Sequence, residues 1–201
     1  SILLLFYLAG QLLSGAVVFN KMMGVSIFQS LAITGVIIMF YIGIGGAHSD
    51  ILTDGVQGAL MLVLAIGVAC MFGFGFGIAG GYNGMVENLF AQDPGLVKPF
   101  SPSHPVFDSS WDIFAIFLAH VPLGLLPHVG NKLWALKSDK DQNKFVILSF
   151  LFGMVLPCIA LGGILARALL GDALLAEGSS ANFAIPELFI YTMPPWLAAL
   201  V

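Results

Sequence analysis

The sequence predicts an all-α membrane protein, a polytopic helical bundle, on three observations. Hydrophobic residues make up 59% of the 201-residue chain and charged residues 9%, which leaves too little polar side chain to cover a soluble globule. The apolar residues gather in runs long enough to cross a hydrocarbon layer about 30 Å thick. Trp111 and Trp134 stand 23 residues apart, about 34 Å of helix, and so mark the two interfaces that one helix joins.

Taken in order, the apolar runs are 2–20, 25–44, 55–80, 113–136, 145–170 and an incomplete run at 186–201. They make one transmembrane domain. Ser1 opens directly onto apolar sequence, without the basic flank and small-residue cleavage site of a signal peptide, so the chain is read as a piece of something longer. Cys70 and Cys158 lie inside apolar runs, where packing is the expected role. The net charge of −4 divides unevenly. Lys137, Lys140 and Lys144, with Lys132 just before them, assign the 137–144 loop to the cytoplasmic side. The segment 45–57 then lies inside and the segment 81–112, with Glu87, Asp93, Asp108 and Asp112, lies outside; Lys21 and Lys98 run against the rule. Prolines and serines from Asp93 to Pro105 predict an outer loop that is not regular throughout and covers the outer mouth.

Two spans carry marked local chemistry. In the third, Ala65, Ala69, Gly73, Gly77 and Gly81 recur every four residues, a smooth stripe suited to close helix packing or to sliding. In the fourth, Pro122, Gly124, Pro127 and Gly130 fall within nine residues. Each proline removes a donor and crowds the carbonyl four residues earlier, so Leu118 and Leu123 lose their usual partners. Loose backbone at this depth is tolerated only against protein or a water-filled cavity, which makes this span the expected binding element. Pro157 stands alone in the fifth span and predicts a kink.

The candidate site residues follow from the same cost of polarity in lipid. Between the second and third spans, Gly45-Gly46-Ala47-His48-Ser49-Asp50-Ile51-Leu52-Thr53-Asp54-Gly55-Val56-Gln57 forms a polar elbow. Asp54 has two readings. It is an N-cap, with Gln57 three positions on completing a capping-box variant, or it is a carboxylate that attracts a cation at the inner mouth. His48 and Asp50 are expected in a solvated turn. His120 is either a structural partner for loose backbone or a cavity-lining group, and His128 lies eight residues on, a spacing that does not suit a metal pair. Gln11 and Ser14 are polar positions on the first span, buried between helices or facing the cavity.

The elbow, with Gly45, Gly46, Thr53, Asp54 and Gln57 in register, resembles the Gly-Gly, Thr-Asp, Gln pattern of the sodium:solute symporter family. Gly124-Leu125-Leu126-Pro127-His128, running on through Lys132 to Ala135-Leu136-Lys137, is similar to the family's Gly-x-x-Pro-His segment and the basic residues after it. Ala184-Ile185-Pro186 and Pro194-Pro195-Trp196-Leu197 resemble its approach to a later helix. The resemblance covers essentially the whole chain. It departs at Leu126, where the family often has Gln, and at Lys132, where it commonly has Arg; the lysine keeps charge without a bidentate fork.

The resemblance implies part of a LeuT-type inverted-repeat core, from core helix three to the start of core helix eight. It implies an ion-coupling role for Asp54 with Thr53 and Gln57, and Na+ as the coupling ion. Its main sodium ligands lie on helices outside this chain. Gln11, Ser14, His120, Pro122, Leu126 and Pro127 are the candidate solute contacts. The implied function is sodium-coupled import of a small organic solute, a monocarboxylate or pantothenate-like acid, by alternating access. The expected setting is a lipid bilayer, the bacterial inner membrane, with no nucleic acid partner. A sensor or scaffold that keeps the fold without transport is the alternative. An intramembrane enzyme is a weaker one, because no span carries a paired metal motif or a nucleophile elbow.

Overall fold

The computed structural model describes residues 2–100, 107–121, 127–176 and 181–198. Regular structure among them is entirely helical, as the composition predicts. Helix α1 (Ile2–Met23) stops where Gly24 enters the left-handed region at φ +68°, and Asn20 Nδ2 donates to the Val25 carbonyl at 2.6 Å to close the turn. Ser26 then caps α2 (Ile27–Phe74). Its hydroxyl accepts from the Gln29 N–H at 3.2 Å, while Gln29 Oε1 accepts from the Ser26 N–H at 3.0 Å. The three-residue connection makes α1 pack back along α2, with Ala16 and Ser30 fully buried and Gly15 close to Thr34.

Helix α2 runs 48 residues with a single non-helical residue, Gly46, at φ 55° and ψ −153°. The bend divides it into two apolar segments, Ile27–Gly46 and Ile51–Phe74, each long enough to cross a bilayer. At its far end Gly75 adopts φ 58° and gives its N–H to the Met71 and Phe72 carbonyls. A Cβ at Gly75 would lie 2.2 Å from the Gly81 carbonyl carbon, so glycine is what lets the chain reverse here. Helix α3 (Gly81–Gln92) follows, buries Met85 and Leu89, and ends in a 3-10 turn at Pro94–Val97.

Helix α4 (Ser110–His120) begins at a Ser109–Asp112 capping box, and α5 (Pro127–Trp134) is short and largely polar. Ser138 caps α6 (Asp139–Val155). At Pro157 the helix tightens to a 3-10 turn, Leu156–Ala160, then resumes as α7 (Leu161–Leu170). This combined stretch, Asp139–Leu175, is the third segment long and apolar enough to span. Helices α8 (Ala184–Thr192) and α9 (Pro195–Ala198) complete the described chain.

The core joins the second half of α2 to α3, α7 and α8 through Val68, Met85, Leu89, Leu165, Ala166 and Leu188. Gly162 lies where three of these elements converge. A Cβ there would come within 2.8 Å of Ile185 Cδ1 and 2.9 Å of Val68 Cγ1.

Several expectations change. Helix α2 ends at Phe74 rather than at residue 80, so the small-residue stripe is helical only through Ala65, Ala69 and Gly73. Gly77 and Gly81 instead take positive φ beyond the cap. The 81–112 segment holds a helix that packs into the core, because Met85 and Leu89 share a face that α7 covers. The fourth span appears as α4 and α5. Pro122 and Leu126, and the break predicted between them, lie outside the described residues. The Leu118 carbonyl, expected to lose its partner, accepts from the Val121 N–H instead, one residue short of an α-helical bond.

Gly46 and Gly43, three residues apart on α2, give a direct test of the bend. Gly46→Ala forces an L-residue into a left-handed backbone and is expected to lower unfolding stability of the complete protein in detergent by about 1–3 kcal/mol. Gly43→Ala, with open space around its Cβ and ordinary helical φ, is expected to raise it by up to about 1 kcal/mol.

Candidate functional site: the elbow, an ion pair and an apolar cavity

Gly45 and Gly46 serve the bend in different ways. Gly46 supplies the backbone angle. Gly45 supplies room, since a Cβ on it would sit 2.2 Å from Ser49 Cβ. The helix resumes at once, so His48, Asp50, Thr53 and Asp54 are all helical, not members of a polar turn. Thr53 Oγ1 donates to the Ser49 carbonyl at 2.8 Å, a back-bond that occupies the hydroxyl locally.

Asp54 therefore does not cap a helix start, and the capping-box reading with Gln57 is corrected: the backbone N–H groups around it are already inside α2. Its carboxylate has a tertiary partner. Lys132 Nζ, on α5, donates to Asp54 Oδ2 at 2.8 Å, joining residues 78 apart in sequence. The contact engages one carboxylate oxygen, as a compact ammonium does where a guanidinium would engage both. The two side chains keep 51% and 44% of their surface exposed, for Asp54 and Lys132 respectively, so solvent and ions reach the pair. Gln57 is exposed one turn beyond Thr53 on the same helix.

A separate cavity of about 400 Å³ lies between α1, the second half of α2, the Pro157 turn and α8. Its wall is mostly apolar, from Leu13, Val17, Met61, Leu64, Ile185 and Phe189, with Ser14 and Asn182 the polar contributors. Ser14 Oγ donates to the Gly10 carbonyl at 2.9 Å and keeps its lone pairs to accept. Of the other candidate contacts, Gln11 is exposed on α1 and absent from this wall. His120 is also absent from the wall; its Nδ1 lies 2.7 Å from the Ile116 carbonyl, a structural bond to backbone. Pro122 and Leu126 fall outside the described residues, and Pro127 opens α5. No cluster of three or more His, Cys, Asp or Glu suited to a metal occurs among the described residues.

The sodium:solute symporter family pattern matches residues 1–201. The chain belongs to that family. It is 30% identical over 194 residues to the sodium/pantothenate symporter of Haemophilus influenzae, a match that covers 94% of this chain and 38% of the relative. The chain thus spans well under half the length of the relative it matches. No solved structure matches it.

Within this symporter-family chain, sequence reasoning singled out Asp54 but not its partner. Lys132 was noted for orientation and for its departure from arginine. The signal was present, because an acid at the end of an apolar span favours a nearby cation and Lys132 is the basic residue beside the second motif. Of the candidate solute contacts, Ser14 lies on the cavity wall; the rest of the wall comes from elements distant in sequence and left no such trace.

Because the ion pair is half-exposed, its direct contribution to stability is small. Asp54→Asn and Lys132→Gln in the complete protein are each expected to change unfolding stability by less than about 1 kcal/mol, with a double-mutant coupling energy of no more than that. Chemical denaturation in detergent measures both.

Proposed function

We propose that the chain is part of a sodium-coupled symporter of the bacterial inner membrane that imports a small organic acid of the pantothenate kind by alternating access. The observation that carries this reading is the Lys132–Asp54 ion pair, about two helical turns beyond the bend of α2. Its chemistry suits exchange. An ammonium and a sodium ion carry the same charge, so replacing one by the other at the Asp54 carboxylate leaves no uncompensated acid at the membrane edge.

In the ion-free state Lys132 holds α5 against the elbow. Sodium at Asp54 displaces the ammonium and releases α5. Gln57, one helical turn away, adds an amide carbonyl oxygen within reach of the same region. A cation shifts the conformational equilibrium only by its differential affinity for the two states, and a carboxylate that is latched in one state and open in the other supplies that difference. The family's LeuT-type architecture gives the two states: one helical repeat rocks against the other around a central site.

The apolar cavity supports the solute assignment. A volume of about 400 Å³ suits a small organic molecule, and its wall offers Ser14 and Asn182 to a polar group while the rest receives an aliphatic body. The family and its relative are named for transport, which favours a carrier over the enzyme reading.

Sodium-driven uptake of radiolabelled pantothenate by the complete protein in vesicles tests the reading. Asp54→Ala is expected to abolish sodium stimulation, and Asp54→Asn to weaken the sodium response at least tenfold. Lys132→Gln removes the internal competitor and is expected to lower the sodium concentration for half-maximal uptake. Uptake that persists unchanged without sodium, or follows a proton gradient instead, overturns the coupling assignment.

A further inference from the structure

A second ion pair lies at the other end of the molecule. Lys21, in the last turn of α1, pairs with Glu187, in the first turn of α8. The Lys21 ammonium also stands 5.4 Å from the centre of the Phe183 ring, just ahead of α8. Each charge suits its own helix end: a cation at a C-terminus and an anion at an N-terminus are both favoured by the helix dipole. The cation–π contact adds a third hold on the same ammonium. The pair is less exposed than the one at the elbow, with 32% and 28% of side-chain surface accessible.

Its position relative to the cavity gives it a role beyond stability. Val17 and Val18, on the cavity wall, lie one turn before Lys21 on α1, and Pro186, also on the wall, immediately precedes Glu187 on α8. Between these helices the wall is apolar side chain, which packs without fixing a distance as an ion pair does. We infer that Lys21 and Glu187, backed by Phe183, form a positioning clasp that sets the spacing of α1 and α8 across one end of the cavity. Neither residue touches the solute. The consequence for transport rests on the assignment of this cavity to the solute.

The clasp separates the two ion pairs by role. The elbow pair exchanges with a cation; the clasp stays closed through the cycle and keeps the cavity walls in register. Lys21→Glu and Glu187→Lys each place two like charges at the rim and drive α1 and α8 apart. The double swap restores the attraction with its polarity reversed.

The test uses the complete protein in proteoliposomes, with spin labels at the exposed positions Met23 and Tyr191 and pantothenate uptake measured in parallel. Each single reversal is expected to lengthen and broaden the label distance and to raise KM for the solute about tenfold with maximal rate within about twofold; the double swap is expected to recover both in part, because the helix ends and the Phe183 ring favour the native polarity. A label distance unmoved by the single reversals overturns the clasp, as does a double swap that inserts normally and recovers neither readout. A distance that moves and recovers while KM stays constant leaves the clasp standing and overturns the solute assignment of the cavity.

Discussion

The bend at Gly46 is the constraint on which the rest of the arrangement depends. A continuous 48-residue α-helix would be about 72 Å long, more than twice the hydrocarbon thickness, so the chain cannot stay straight and remain in the membrane. A loop would release several backbone N–H and C=O groups. One glycine in a left-handed conformation redirects the helix with the least loss of backbone hydrogen bonding, and a second glycine before it removes the side chain that would meet Ser49. The result lets both halves of α2 face α1 and carries Asp54 to α5.

Two ion pairs then stand at opposite ends of the second half of α2 and its neighbours. Both join residues far apart in sequence, yet they differ in setting. Asp54 and Lys132 are about half-exposed; Lys21 and Glu187 are less exposed and sit at helix ends whose dipoles favour them. A weakly held, accessible carboxylate is suited to exchange. A supported, partly shielded pair is suited to permanence.

The core explains why one end is firm. Val68, Met85, Leu165 and Leu188 are almost entirely buried where α2, α3, α7 and α8 meet, and Gly162 allows that approach. Around Asp54 and Lys132 no described residue along either helix is buried. Dense packing holds a fixed geometry, and its scarcity at the elbow leaves local rearrangement less opposed.

The sequence alone determined the helical membrane class and the irregularity at Pro157, because hydrophobic length and proline chemistry act locally; of the six runs read as spans, three segments among the described residues are long and apolar enough to cross. It left Asp54 with two readings, since a Thr-Asp-x-x-Gln spacing is compatible with both a helix cap and a helix interior, and only the course of the backbone at Gly46 decides between them. Lys132 as partner, the Lys21–Glu187 pair and the cavity wall were decided by tertiary structure. Each depends on which helices come to lie side by side, and contacts across 78 residues or more leave no periodic mark in the chain.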